Sequence, residues 1–407
     1  MKFDSFDIIP HGTKIDFVGK RNVAVVLSLI VNAAVILWSL PFVHGLNYGV
    51  DFAGGTEMEV KFAKTVDPGE VRRTVEGLGF KGASVQTYGD AEENSFLIRV
   101  ERIALMDEAD VSRVVEAVKG RFPVERWSFN PEIGDKIDFE FKPAAPGAGG
   151  QAAVPTPDQL RAVVEAAGIP VREVREEAGL AAGSRSFAVI TQGIQQKVEA
   201  GLARTFADAS PDVRRVEYVG PAVGRELRNQ GFKAVIYAMA LIVVYIGLRF
   251  DFRFSPGVII AMLHDAIVTL GYFAFTGQEF NLTSIAVILT IVGYSVNDTV
   301  VIYDRIRENQ QRYQGRSLAE IVNASINEVL GRTFMTSVAT ALSLVGLLVY
   351  GVGTIFDFAA AMMVGLVSGT YSTWFIAAPM TVWLEERAAK KRARPAPTAH
   401  QPRAATK

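Results

Sequence analysis

Six long apolar runs, joined by connections whose Lys and Arg content alternates, constrain this chain more than any other feature of its 407 residues. The runs are Asn22 to Phe42, Phe232 to Leu248, Pro256 to Phe275, Leu282 to Tyr303, Phe334 to Tyr350 and Phe358 to Leu384. Each approaches or reaches the ~20 residues a helix needs to cross a hydrocarbon core. The second and fifth are short, and Lys233 can snorkel to lengthen the second. Pro379 lies inside the sixth and is expected to kink it or end it early. A charged segment precedes the first run, and no small-x-small cleavage site clearly follows it. A retained signal anchor is therefore expected.

The basic flanks sort to one side. Lys20 and Arg21 precede the first run, and Arg249 and Arg253 separate the second from the third. Arg305, Arg307, Arg312, Arg316 and Arg332 lie between the fourth and fifth; Arg387, Lys390, Lys391, Arg392 and Arg394 follow the sixth. The connections Thr276 to Asn281 and Gly351 to Asp357 carry neither Lys nor Arg. The positive-inside rule then places both termini, residues 1–21 and 385–407, in the cytoplasm. Residues 43–231 fall outside, and residues 232–384 form the rest of the bundle. The expected location is an inner membrane, crossed several times, with a large extracytoplasmic region.

That region contains a Pro/Ala/Gly-rich stretch, Lys142 to Pro157, which reads as a flexible linker. The sequences on either side resemble each other. Val71 to Gly79 parallels Leu160 to Gly168, Ser95 to Ile98 parallels Ser186 to Val189, and Pro131 to Gly134 parallels Pro221 to Gly224. Each side reads helix, strand, strand, helix, strand. Val85 to Tyr88 and Phe96 to Val100 are short strands, while Val111 to Val118 and Ile194 to Phe206 have helical spacing. Two α+β units of ferredoxin-like type are expected, residues 43–141 and 158–231, related by duplication.

Several functions are excluded or lack support. The absence of cysteine removes disulfides, thiol nucleophiles and cysteine metal sites. No Gly-x-x-x-x-Gly-Lys-[Ser/Thr] loop is present, so ATP hydrolysis is not expected, and no His/Glu metal motif occurs. A net charge of -1 offers no field for nucleic acid. No cofactor is expected, and Gly54-Gly55 reads as a turn into the first external strand.

Ionisable residues inside a span cost roughly 2.5–3.5 kcal/mol on insertion scales, which makes each a functional candidate. Asp298, in Gly293-Tyr294-Ser295-Val296-Asn297-Asp298-Thr299, lies roughly 6–8 Å inside the cytoplasmic end of the fourth run at 1.5 Å per residue. Arg332 stands on the same side at the entry to the fifth. The pair can be a carboxyl that loads and releases a proton as the contact makes and breaks, or a static ion pair that fixes packing. His264-Asp265 in the third run reads as a packing hydrogen bond before a relay. Asp304, Arg305, Arg307 and Glu308 read as a salt-bridged turn past the fourth run. Gly346, Gly365 and Gly369 permit close helix approach.

Two motifs carry a family resemblance. Gly49-Val50-Asp51-Phe52-Ala53-Gly54-Gly55-Thr56 and Val292 to Asn309 (VGYSVNDTVVIYDRIREN) resemble the SecF family of bacterial protein-export proteins. So do Arg332 to Ser337, His264-Asp265, and Gly220-Pro221 with Gly224, and the resemblance covers nearly the whole chain. It implies a six-helix half-bundle of the resistance–nodulation–division (RND) type. It also implies a partner, SecD, beside the SecYEG channel, use of the proton motive force on secreted polypeptides after the SecA ATPase has acted, and no enzymatic turnover. YajC or YidC would be further neighbours in the lipid membrane. Asp298 would be the proton-responsive carboxyl and Arg332 its partner, with His264, Asp265 and Asn297 as accessory polar groups. The alternative is an RND-class exporter of small molecules or lipids, and a third reading is a membrane scaffold.

Overall fold

The computed structural model describes residues 13–88, 93–131, 134–141, 154–178, 184–250 and 254–392. Most of the expected linker and positions 132 and 133 of the Pro131 to Gly134 match lie outside the described residues, as do Arg253 and Arg394. The chain divides into two units: residues 48–229, and residues 1–47 with 230–407.

The first unit begins with a helical turn, α2 (Val50–Ala53), then β1 (Gly55–Lys61), α3 (Pro68–Gly77), β2 (Ser84–Tyr88), β3 (Ser95–Val100), α4 (Glu108–Lys119) and β4 (Val124–Phe129). The same succession repeats as β5 (Lys136–Phe141), α5 (Pro157–Ala166), β6 (Val171–Ala178), β7 (Arg185–Thr191), α6 (Ile194–Thr205) and β8 (Asp212–Val219). Helix starts follow side-chain chemistry. Asp67 caps α3 ahead of Pro68, and reciprocal capping boxes join Asp107 to Asp110 and Thr156 to Gln159. Apolar residues then recur on one face, as Val111, Val114, Val115 and Val118 do in α4.

The strands pair in two antiparallel sheets of four, ordered β2-β3-β1-β8 and β4-β5-β7-β6. Each order is the ferredoxin-like one, but it is assembled across the repeat. The first sheet takes strand–helix–strand–strand from the first pass and its final helix and strand, α6 and β8, from the second. The second sheet does the reverse, taking α4 and β4 from the first pass. The cores agree. Val71 and Val75 of α3 pack with Ile194, Val198 and Leu202 of α6, whereas Val114 and Val118 of α4 pack with Leu160 and Val164 of α5. Self-contained units divided at residues 142–157 are therefore corrected to two interleaved sheets. The short connection from β4 to β5 gives the reason: a hairpin fixes those strands as neighbours and draws α4 and β4 into the second sheet. Asp135, on that connection, accepts the Leu105 and Met106 N–H groups at 2.7 and 3.0 Å, while its carbonyl accepts the Thr191 N–H at 2.9 Å. It thereby ties down both crossing segments.

The second unit holds α1 (Arg21–Trp38), α8 (Ser255–Thr276), α9 (Leu282–Arg312), α10 (Leu318–Tyr350), α11 (Thr354–Ser372) and α12 (Ala378–Arg392), together with most of α7 (Pro221–Arg249). Among the described residues, six helical stretches are long and apolar enough to cross a membrane, the last being α11 and α12 with the turn between them. That turn, Thr373–Ala377, is π-helical and sits just before Pro379, so the expected irregularity takes the form of a π-bulge. Three boundaries move most. The second span starts at Pro221, the fourth runs on to Arg312, and the fifth starts at Leu318, so Arg332 lies well inside its helix. Asp304 to Glu308 is correspondingly helix and not a turn; Arg305 bridges Glu308 at 2.6 Å and Glu328 at 2.5 Å. Burial separates centre from rim: 56% of the apolar window of α9 is buried against 11% for α7. Gly365 and Gly369 do admit neighbours, since an added Cβ would lie 2.5 Å from Ile291 and 3.1 Å from Ser295. Gly346 faces open space.

Candidate functional site

The two glycine motifs meet in the extramembrane unit. Gly49 starts α2 by accepting the Phe52 and Ala53 N–H groups, and Asp51 sits half-buried in that turn. Gly54 then adopts φ 79°, ψ 174°, a region essentially reserved for glycine, and leads into β1. A Cβ at Gly54 would lie 2.9 Å from the Pro221 Cα, and one at Gly224 would lie 3.1 Å from the Gly54 nitrogen. The Gly220 carbonyl accepts the Gly224 N–H at 2.8 Å, closing the first turn of α7. The pattern is a backbone-to-backbone knot, and it confirms a turn into the first strand at Gly54-Gly55. Replacing Gly54 by Ala should cost about 1–3 kcal/mol. Thermal unfolding of the detergent-solubilised chain checks this, and an unchanged midpoint would count against the knot.

Inside the bundle, α8, α9 and α11 share a column of buried polar side chains. Its hub is Asp265 on α8, which has no exposed surface. Its Oδ2 accepts Ser295 of α9 at 2.6 Å and Ser372 of α11 at 2.7 Å. Its Oδ1 accepts Ser368 at 2.7 Å and lies 3.0 Å from His264 Nδ1. One carboxyl thus binds hydroxyls from two neighbouring helices. The column continues from Thr373 to Thr299, whose hydroxyls are 3.2 Å apart, and then to Tyr303, which donates to the Ala377 carbonyl at 3.1 Å. His264 also lines a groove of about 490 Å³ between α1, α8 and α11, beside Leu27, Val31 and Tyr371.

Asp298 stands apart from this column. It is buried, at 3% exposure, yet among the described residues it makes no hydrogen bond or ion pair. Arg332 of α10 is exposed, and its charge reaches Asp298 through space without a bridge. The expected pair is near but not closed. Asn297 turns outward and is not brought into the polar column. It belongs to an outward stripe of α9, with Ala286, Thr290 and Gly293, that is small or polar where a lipid-facing helix is ordinarily apolar.

Comparison with known proteins bears on both regions. The family model described as "SecD/SecF GG Motif" matches residues 40–66, and "Protein export membrane protein SecD/SecF, C-terminal" matches residues 198–387. "Protein translocase subunit SecF" of Koribacter versatilis is 33% identical over 92% of this chain and 93% of its own.

This chain belongs to the SecF family.

A SecF relative from Magnetococcus marinus is 35% identical over 93% of this chain and 94% of its own. The crystal structure of SecDF, a translocon-associated membrane protein from Thermus thermophilus, matches 92% of this chain with a TM-score of 0.63 at 27% identity. The chain spans 39% of that structure's length. The SecF membrane model contains Asp265, Asp298 and Arg332, and the glycine-motif model contains Gly49, Asp51, Gly54 and Gly55. The residues that sequence reasoning missed are Ser368, Ser372 and Thr373. The one signal for the two serines was their four-residue spacing on one face of an apolar helix.

Proposed function

We propose that this chain is the SecF subunit of a Sec protein translocase, and that with SecD it uses the proton motive force to drive late steps of export across the inner membrane. The observation that carries the reading is Asp298: a buried carboxyl in a membrane-spanning helix, without a bonding partner among the described residues, in electrostatic reach of Arg332. A static ion pair would be closed, and its desolvation cost would demand that closure. An unclosed carboxyl beside an exposed guanidinium can change protonation as the two approach and separate. The small and polar stripe of α9 is suited to a second helical bundle, which SecD would supply. SecYEG would be the channel, SecA would act earlier, and the secreted polypeptide would be the cargo, with both termini of this chain cytoplasmic and the two-sheet unit periplasmic.

The competing reading, an RND-class exporter of small molecules or lipids, predicts different company. Affinity purification of the tagged chain from mild detergent should bring SecD and SecYEG with it. Recovery of the chain without SecD would count against the translocase reading.

A further inference from the structure

The segment ahead of α1 has no part in the account above, yet α10 holds it by its backbone. Asn327 reads Ile15 in both directions: its Oδ1 accepts the Ile15 N–H at 2.9 Å and its Nδ2 donates to the Ile15 carbonyl at 2.8 Å. Four residues earlier, Asn323 Oδ1 accepts the N–H groups of Phe17 and Val18 at 2.9 and 3.0 Å. Its Nδ2 donates to Asp16 Oδ1 at 2.8 Å, and that oxygen also accepts the Gly19 N–H at 2.8 Å. Phe17 between them is 2% exposed, with its ring 5.1 Å from Phe375 and 6.4 Å from Trp374 in the π-helical turn. The Trp374 indole N–H in turn donates to Thr333 Oγ1 at 3.2 Å, next to Arg332.

The residue types fit this arrangement physically. A non-strand segment lying on a helix finds no free backbone partners there, so its N–H and C=O groups need side chains. The carboxamide of Asn carries a donor and an acceptor side by side, which matches a backbone amide. Asn is a poor choice inside a helix on propensity alone. Two of them, one turn apart on α10, both facing the same segment, answer a requirement other than helix formation.

We propose that residues Ile15–Val18 form a strap that sets the position of α10, with Asn323 and Asn327 as positioning residues for Arg332. Phe17 and Trp374 carry the same constraint to the π-helical turn of the last span. The geometry stands by itself; its functional consequence rests on the proton role of Asp298 and Arg332.

The chain contains no cysteine, so Met335→Cys supplies a single thiol on α10, at a position that is 48% exposed and one turn beyond Arg332. In native membranes with its partners present, maleimide labelling of that thiol reports where α10 sits. Asn323→Ala with Asn327→Ala removes the strap's hydrogen bonds and should weaken its docking about tenfold or more. Labelling should change several-fold, Phe17→Ala should act in the same direction, and the pH profile of proton-dependent export should shift. If the double variant does not accumulate, Asn327→Asp, which keeps the acceptor and loses the donor, is read by the same criteria. Unchanged labelling in all variants overturns the strap. Changed labelling with an unchanged pH profile leaves the strap standing and overturns the proton role of Arg332.

Discussion

Asp298→Asn is expected to abolish proton-dependent export while the chain remains in the membrane at its usual level. Asparagine has the shape of aspartate and cannot take up or release a proton. Asp298 has no bonding partner among the described residues, so the exchange breaks no network and leaves packing intact. What is lost is the ability to be neutral in one state and charged in another. The measurement is precursor export into inverted vesicles, with and without an ionophore. The variant should show only the ionophore-resistant rate, and the parental chain both. If the variant keeps the full ionophore-sensitive component, Asp298 has no proton role. A static pair makes a different forecast: replacing Asp298 and Arg332 together by apolar residues would preserve function, because buried ion pairs are often replaceable by hydrocarbon.

How much of this could be read without coordinates depended on distance along the chain. The spans were legible because hydropathy is a local property. Their helical limits were not: α7 begins at Pro221 and carries Arg225, Glu226 and Arg228 before its apolar part. Hydropathy reports residues that tolerate lipid, while helices run on into water. The same reasoning moves Arg332 from the entry of a helix to its interior and turns Asp304 to Glu308 from loop to helix. The repeat in residues 43–231 was visible as a repeated order of elements. Order does not state which strand meets which, and the hairpin between β4 and β5 redirected one helix and one strand into the other sheet.

The sites divide in the same way. Gly54 and Gly224 belonged to separate motifs, and only the fold shows that each glycine is there because of the other. Asp298 was conspicuous as a charge in an apolar run. Asp265 was equally conspicuous, but its meaning lay in Ser295, Ser368 and Ser372, which come from distant parts of the chain and are ordinary residues one at a time.

That contrast between two buried carboxyls leads to opposite expectations for stability. Asp265→Leu should destabilise the bundle where Asp298→Asn does not. It takes the carboxyl acceptor from the Ser295 and Ser372 hydroxyls, and leaves Ser368 Oγ and His264 Nδ1 with only each other, at 3.3 Å. Each buried polar group left without a partner costs about 1–3 kcal/mol. Ser372 can recover part of this, since its hydroxyl already lies 3.2 Å from the Gly369 carbonyl on its own helix. A net loss of about 2–5 kcal/mol follows, a large fraction of a typical folding free energy. Asp265→Asn keeps one acceptor and turns an NH2 toward hydroxyls that need to donate, so it should fall between. Thermal unfolding of the purified chain in detergent reads the order: parent and Asp298→Asn together, Asp265→Asn lower, Asp265→Leu lowest. If Asp265→Leu unfolds at the parental temperature, Asp265 is not the group that holds α8, α9 and α11 together. A further substitution separates lost bonding from lost volume. Ser295→Ala should destabilise the parent by orphaning part of the carboxyl, yet raise the stability of Asp265→Leu by removing a hydroxyl that has no acceptor. That change of sign is what a hydrogen-bonded hub requires, and packing by shape alone would not produce it.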